Sequence, residues 1–194
     1  MRYSPGHKAE IRAKLLHEGA AIAKKNGFST TGIDGLMEAV GLSGAAFYNH
    51  FGSKTDFFKA ILDHELECSR SLLEGGASLS PAERMGAYAD SYLSLAHVEN
   101  PEHGCPLPAL SQEVARADGP TRRLYEDQVL RTQAAMEECL GESGAGWAAL
   151  AQCVGAVLIA RAMKSKESRE AILSGCREQI SKLADRAHGK RNAR

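Results

Sequence analysis

The chain has 194 residues, with 24 Lys plus Arg against 24 Asp plus Glu, so no whole-molecule field announces a polyanionic partner. That length suits one ample core or a small module joined to a larger one. No stretch approaches the roughly 20 apolar residues of a membrane span, and the opening Met-Arg-Tyr-Ser-Pro-Gly-His-Lys lacks a signal-peptide core, so a cytosolic protein without a membrane partner is expected.

Helical periodicity runs from end to end and no segment alternates with period two, which predicts an all-α chain of about nine helices. The first spans about His7 to Asn26, carries Ile11, Leu15, Ile22 and Ala23 on one face, and stops at Gly27. Thr31 with Asp34 three residues on resembles a capping box for a short helix to Val40. Gly41 then suits a left-handed turn, and Ser43 can cap a second short helix ending near His50. Ser53-Lys54-Thr55-Asp56 opens a long helix with Phe57, Phe58, Ile61, Leu62 and Leu66 that ends near Gly75. Ser80-Pro81 starts a helix to about Asn100, and further helices are predicted over 107–117, 120–140, 146–164 and 168–187.

The domain division read from this order is a small three-helix unit over 1–53, a larger helical unit over 54–188 and a basic tail over 189–194, expected to be frayed. Residues 1 to 56 hold seven basic groups against five acidic ones, a mild bias. The cysteines, Cys68, Cys105, Cys139, Cys153 and Cys176, are odd in number and form no Cys-x-x-Cys pair, which argues against a disulfide framework and a zinc site. No cofactor or metal is expected.

The informative segment is Gly27 to Lys54. Helix, glycine turn and helix lie within about 20 residues, with Leu36, Val40, Leu42 and Phe47 placed to pack the two short helices on each other and on the first. This is helix-turn-helix spacing, whose second helix enters the major groove while the first crosses the backbone. Thr31, Gly41, Leu42, Ser43, Phe47-Tyr48, His50-Phe51 and Ser53-Lys54 together resemble the motif of the TetR family of transcriptional regulators, over about the first 60 residues.

That resemblance implies that Thr31, Ser43, Tyr48, His50 and Lys54 touch phosphates or the groove edge of double-stranded operator DNA. Thr31 and Ser43 also read as plain helix caps. Phe47 points inward, which leaves Tyr48 about 100° round the helix toward the DNA side. Gly44, Ala45 and Ala46 offer no hydrogen-bonding side chain, so base reading is expected to be thin. Ala45 or Ala46 would meet a thymine methyl, Asn49 a base edge or solvent, and DNA shape would supply the rest.

The resemblance further implies a homodimer formed by the last two long helices and an effector site inside the larger domain. Trp147, Leu150, Ala151, Val154, Val157, Leu158 and Arg161 form one stripe, and Ile172, Cys176, Ile180, Leu183 and Ala187 another. A buried intramolecular core explains both stripes equally. Dimerisation is preferred because two adjacent modules make a two-fold operator readable.

His103-Gly104-Cys105-Pro106-Leu107 resembles a cysteine motif of a TetR subgroup that includes electrophile and oxidant sensors. A helix start and nearby His103 could lower the Cys105 pKa; a small inert core thiol is the alternative. Met85, Tyr88, Tyr92 and Cys105 are candidates to line a pocket for a small-molecule or electrophile effector, though core packing gives the same spacing. The function expected is a repressor released from a palindromic operator by a small molecule or by thiol modification. An enzyme using Cys105 and His103 is the alternative from another class. It is disfavoured because no third group orients the base and no phosphate loop or metal-ligand set is present.

Overall fold

A computed structural model describes residues 5–75 and 79–192, with the backbone alone for Pro5 and for 186–192. Among these residues every regular element is a helix: α1 (Pro5–Asn26), α2 (Ile33–Ala39), α3 (Gly44–Phe47), α4 (Lys54–Glu74), α5 (Pro81–Tyr92), α6 (Leu95–Glu99), a 3-10 turn (Pro101–His103), α7 (Leu107–Val114), α8 (Gly119–Leu140), α9 (Ala145–Ala162) and α10 (Lys166–Asn192).

The first three helices close on one another through Leu15, Leu36, Met37, Val40 and Phe47, all buried. Aromatic rings then join this trio to α4. Phe28 stacks on Phe58 with centroids 4.3 Å apart, and Phe47 meets Phe57 edge-on at 5.5 Å. Gly41 carries the chain between α2 and α3 at φ 76°, a left-handed conformation that suits a residue without Cβ.

Ser53 caps α4 as expected, its hydroxyl accepting from the Asp56 N–H at 3.0 Å, and Ser80 with Glu83 forms a complete capping box at α5. The long helix expected over 80–100 is two. Leu93 leaves helical geometry, and Ser94 caps a new helix by accepting from the His97 N–H at 3.2 Å, which raises the count of α-helices among the described residues to ten. At the other end α10 continues to Asn192, so the backbone of 189–192 is helical rather than frayed; Ala193 and Arg194 lie outside the described residues.

Beyond α4 the helices pack as a bundle, with α8 against α4, α5 and α9, and α10 against α5 and α9. A buried polar bridge ties α4 to α8. Arg70 donates to Gln128 Oε1 at 2.6 Å, and the Gln128 amide donates in turn to Asp63. By length and composition α9 is apolar enough to cross a membrane, yet 44% of it is buried against its neighbours. Trp147, Leu158 and Ile159 remain exposed along it, and Met163 just past its end.

Candidate nucleic-acid interface and effector cavity

The regular part of α3 is shorter than the expected helix to His50, but its turn continues through bonds from Asn49 N–H to Ala46, and from His50 and Phe51 N–H to Phe47. This keeps Tyr48 and Asn49 on the surface while Phe47 is fully buried. Tyr48 is 61% exposed, the largest exposure among the large hydrophobic side chains of this module. Ala45 is exposed beside it, Ala46 is half-buried, and Gly44 lies against α2, where an added Cβ would overlap the Asp34 carboxylate.

The expected caps on the short helices are absent. Gly32, not Thr31, occupies the N-cap of α2, and the Thr31 hydroxyl donates back to the Gly27 carbonyl at 2.8 Å. Ser43 holds the N-cap position of α3 in an extended conformation, but its side chain makes no capping bond and is exposed. Lys54 also departs from expectation. Its ammonium turns back onto the Ser29 carbonyl at 3.2 Å, 5.0 Å from the centre of the Phe28 ring.

His50 brings in two residues that sequence reasoning passed over. Its Nδ1 is buried without a partner, and its pKa is lowered first by burial and then by the charges of Lys8 and Arg12 on α1. Arg12 lies over the Phe51 ring at 4.4 Å, while its side chain and that of Lys8 are exposed. One turn apart on one helix face, Lys8 and Arg12 carried the available signal, i,i+4 spacing. Tyr48, Asn49, His50, Lys8 and Arg12 thus supply donors or cations around one exposed helix end.

The second site is a cavity of about 460 Å3 between α4 and the segment from Ser91 to Cys105. Of the four residues expected at a pocket, Tyr92 and Cys105 line it; Met85 and Tyr88 do not and are buried in the core. Tyr88 and Tyr92 do neighbour each other, stacked at 5.4 Å.

The histidine on Cys105 is His97 rather than His103. His97 Nε2 accepts from the Cys105 N–H at 3.0 Å and its Nδ1 donates to the Tyr92 carbonyl at 2.7 Å, which fixes a neutral ring, and burial lowers its pKa. His103 is exposed. The suggestion of a lowered Cys105 pKa is corrected on the same ground, because burial pushes this thiol up, outweighing the hydrogen bonds that favour its charged form. Cys153, buried nearby, is pushed up to about 12.

Lys24, in the last turn of α1, is only 7% exposed. Its ammonium donates to the Gly104 carbonyl at 2.9 Å and to Glu65 of α4 at 2.6 Å. A second tie runs from Glu113 of α7, whose carboxylate accepts from the Phe28 and Ser29 N–H groups. Arg161 of α9 donates to the His97 carbonyl at 3.0 Å. Among the described residues no three His, Cys, Asp or Glu side chains gather as a metal site.

Residues 15–61 match the sequence profile of the bacterial regulatory proteins, tetR family. No curated protein matches the chain. Among solved structures, the reduced form of Escherichia coli NemR is similar at 21% identity, covering 88% of this chain and 95% of that one, with a TM-score of 0.75. A TetR transcriptional regulator from Legionella pneumophila is similar at 18% identity over 94% of this chain and 98% of that one, TM-score 0.75. One from Chloroflexus aurantiacus is 19% identical over 91% and 95%, TM-score 0.75. The fold is therefore that of the TetR regulators, a helix-turn-helix domain followed by a larger helical domain, and the matched profile supports a DNA-binding transcriptional regulator.

Proposed function

We propose that this chain is a cytoplasmic TetR-type repressor that binds a palindromic operator as a homodimer and is released when a small molecule occupies its C-terminal domain. The observation that carries the reading is the exposed end of α3, where Tyr48 and Asn49 project beside His50, Lys8 and Arg12 while Phe47 anchors the helix in the core. A surface of this kind suits phosphate contacts that position a short helix in the major groove. Thr31, Ser43, Gly44, Ala45, Ala46 and Lys54 complete the proposed interface. Lys54 would exchange the Ser29 carbonyl for a phosphate on binding, and Ala45 is the exposed methyl available to thymine.

The dimer reading is supported by the exposed apolar side chains of α9, since Trp147, Leu158 and Ile159 on one long helix, with Met163 just past its end, exceed what a solvated surface normally shows. A small-molecule effector is preferred over thiol modification because burial keeps Cys105 protonated and covered. An enzyme built on Cys105 and His103 is disfavoured, since the thiol faces no exposed base and His97 engages its backbone instead.

The test is titration of a random duplex library at several salt concentrations, followed by selection of the tightest binders. Salt-sensitive binding with enrichment of two-fold symmetric sites is expected, and Tyr48→Ala or Lys54→Ala should each weaken it by about 1 to 2 kcal/mol. A chain that forms no salt-sensitive complex with any duplex is not such a regulator.

A further inference from the structure

The charges around the 460 Å3 cavity are one-sided. Glu65 is the one carboxylate among its lining residues, and neither Lys nor Arg is among them. His97 adds no cation, because its Nε2 already accepts the Cys105 N–H and its Nδ1 already donates to the Tyr92 carbonyl. An anionic guest would therefore find no Lys or Arg in the lining and, besides the engaged His97, only the exposed imidazole of His103, whereas a cationic one meets a carboxylate and the Tyr92 ring, with Leu72 and Ala96 offering apolar surface for its body.

The partner of that carboxylate is Lys24, which reaches it from outside the cavity wall. The Lys24 side chain is 4% exposed against 16% for Glu65, and the same ammonium holds the Gly104 carbonyl. We propose that the cavity takes a small organic cation with an apolar body, that its ammonium group binds Glu65, and that in doing so it competes with Lys24 for that carboxylate. The inference rests on reading this cavity as the effector site. It adds the class of the effector and the route of its signal, because a Lys24 that loses Glu65 keeps only the Gly104 carbonyl, which weakens one of the ties that, with Glu113, hold the C-terminal end of α1 to the larger domain.

The test uses 4-phenylbutylamine with its isosteric alcohol and with 4-phenylbutyrate, measured by calorimetry on the full chain without DNA. The amine is expected to bind at least about tenfold more tightly than the alcohol, and the butyrate weakest of the three. Glu65→Gln should abolish the preference for the amine. Lys24→Met should instead tighten amine binding several-fold, since it removes the internal competitor, whereas a merely structural salt bridge would make both variants bind worse. Equal binding of amine and alcohol, a preference that survives Glu65→Gln, or weaker amine binding in Lys24→Met overturns the proposal.

Should either variant fail to fold, the wild-type chain still decides. Cys68 lines the cavity and is exposed, so the amine should slow its alkylation by N-ethylmaleimide and the butyrate should not; equal effects overturn the proposal. Because DNA is absent throughout, loss of amine selectivity refutes the site alone, and loss of duplex binding in the separate titration refutes the regulator reading alone.

Discussion

The carboxylate of Glu113, on α7, accepts two backbone N–H groups of the turn after α1, from Phe28 at 2.7 Å and Ser29 at 2.6 Å. Those donors lie in the turn that follows α1, outside the helical hydrogen-bond ladder, and a charged acceptor from another domain supplies their partner. Replacing Glu113 with Ala should destabilise the chain by about 1 to 3 kcal/mol in chemical denaturation, because two donors lose a charged partner. It should also raise amide exchange at Phe28 and Ser29 ahead of the α8 core, and an unchanged exchange rate there would refute the tie.

The pair of cations on α1 makes a separate prediction. If Lys8 and Arg12 face DNA phosphates, Arg12→Ala should lower the slope of log affinity against log salt by about 1 and weaken binding similarly across sequences. A loss confined to one operator, with the slope intact, would instead place Arg12 in base recognition.

His97 links pH to stability. Its folded pKa lies below the ordinary 6.5, mainly through burial, so the fold favours the neutral ring. The stability this contributes is present in full above pH 6.5 and is lost as pH falls through the lower folded value. His50 acts in the same sense, while Asp56 and Asp118, lowered from 3.8, act only at more acid pH. The unfolding free energy of the wild type should fall as pH drops below 6.5, with a limiting slope of about 1.4 kcal/mol per pH unit for His97. His97→Gln should be less stable at pH 7.5 but show a shallower decline, and an equally steep one would assign the titration elsewhere.

The exposed apolar surface of α9 predicts the oligomeric state. Leu158→Glu places a charge in that exposed apolar surface and should weaken dimerisation by about 2 kcal/mol or more. Sedimentation across a concentration series reads this directly, and a wild type that stays monomeric at high concentration would leave the surface without its proposed role.

Sequence pattern located the helix-turn-helix because its signals are local. Gly41 needs its left-handed φ, Ser53 caps α4 three residues ahead of Asp56, and Phe47 takes the buried side of a short helix. Ser94 was equally local, a cap within a helical run, but the periodicity of Met85, Tyr88 and Tyr92 masked the break. What escaped entirely was tertiary. Nothing in the pattern of α1 reveals that Glu65 and the Gly104 carbonyl converge on Lys24 from 41 and 80 residues away. Likewise His103 is the nearer histidine to Cys105 in sequence, and only the fold over Pro101–His103 delivers His97 to its N–H.

Gln128 meets α4 at two points seven positions apart, accepting from Arg70 and donating to Asp63. It acts as a peg set between two turns, separated along the axis by about 10 Å, so sliding α4 along α8 would strand buried donors at both contacts. Tilting preserves them. Lys54 lies about 19 Å along the helix from the midpoint of the two contacts, and a tilt of about 5° around the peg carries it sideways by about 1.6 Å. Any motion of the Lys54 end of α4 relative to α8 therefore works as a lever on a fulcrum rather than as a piston.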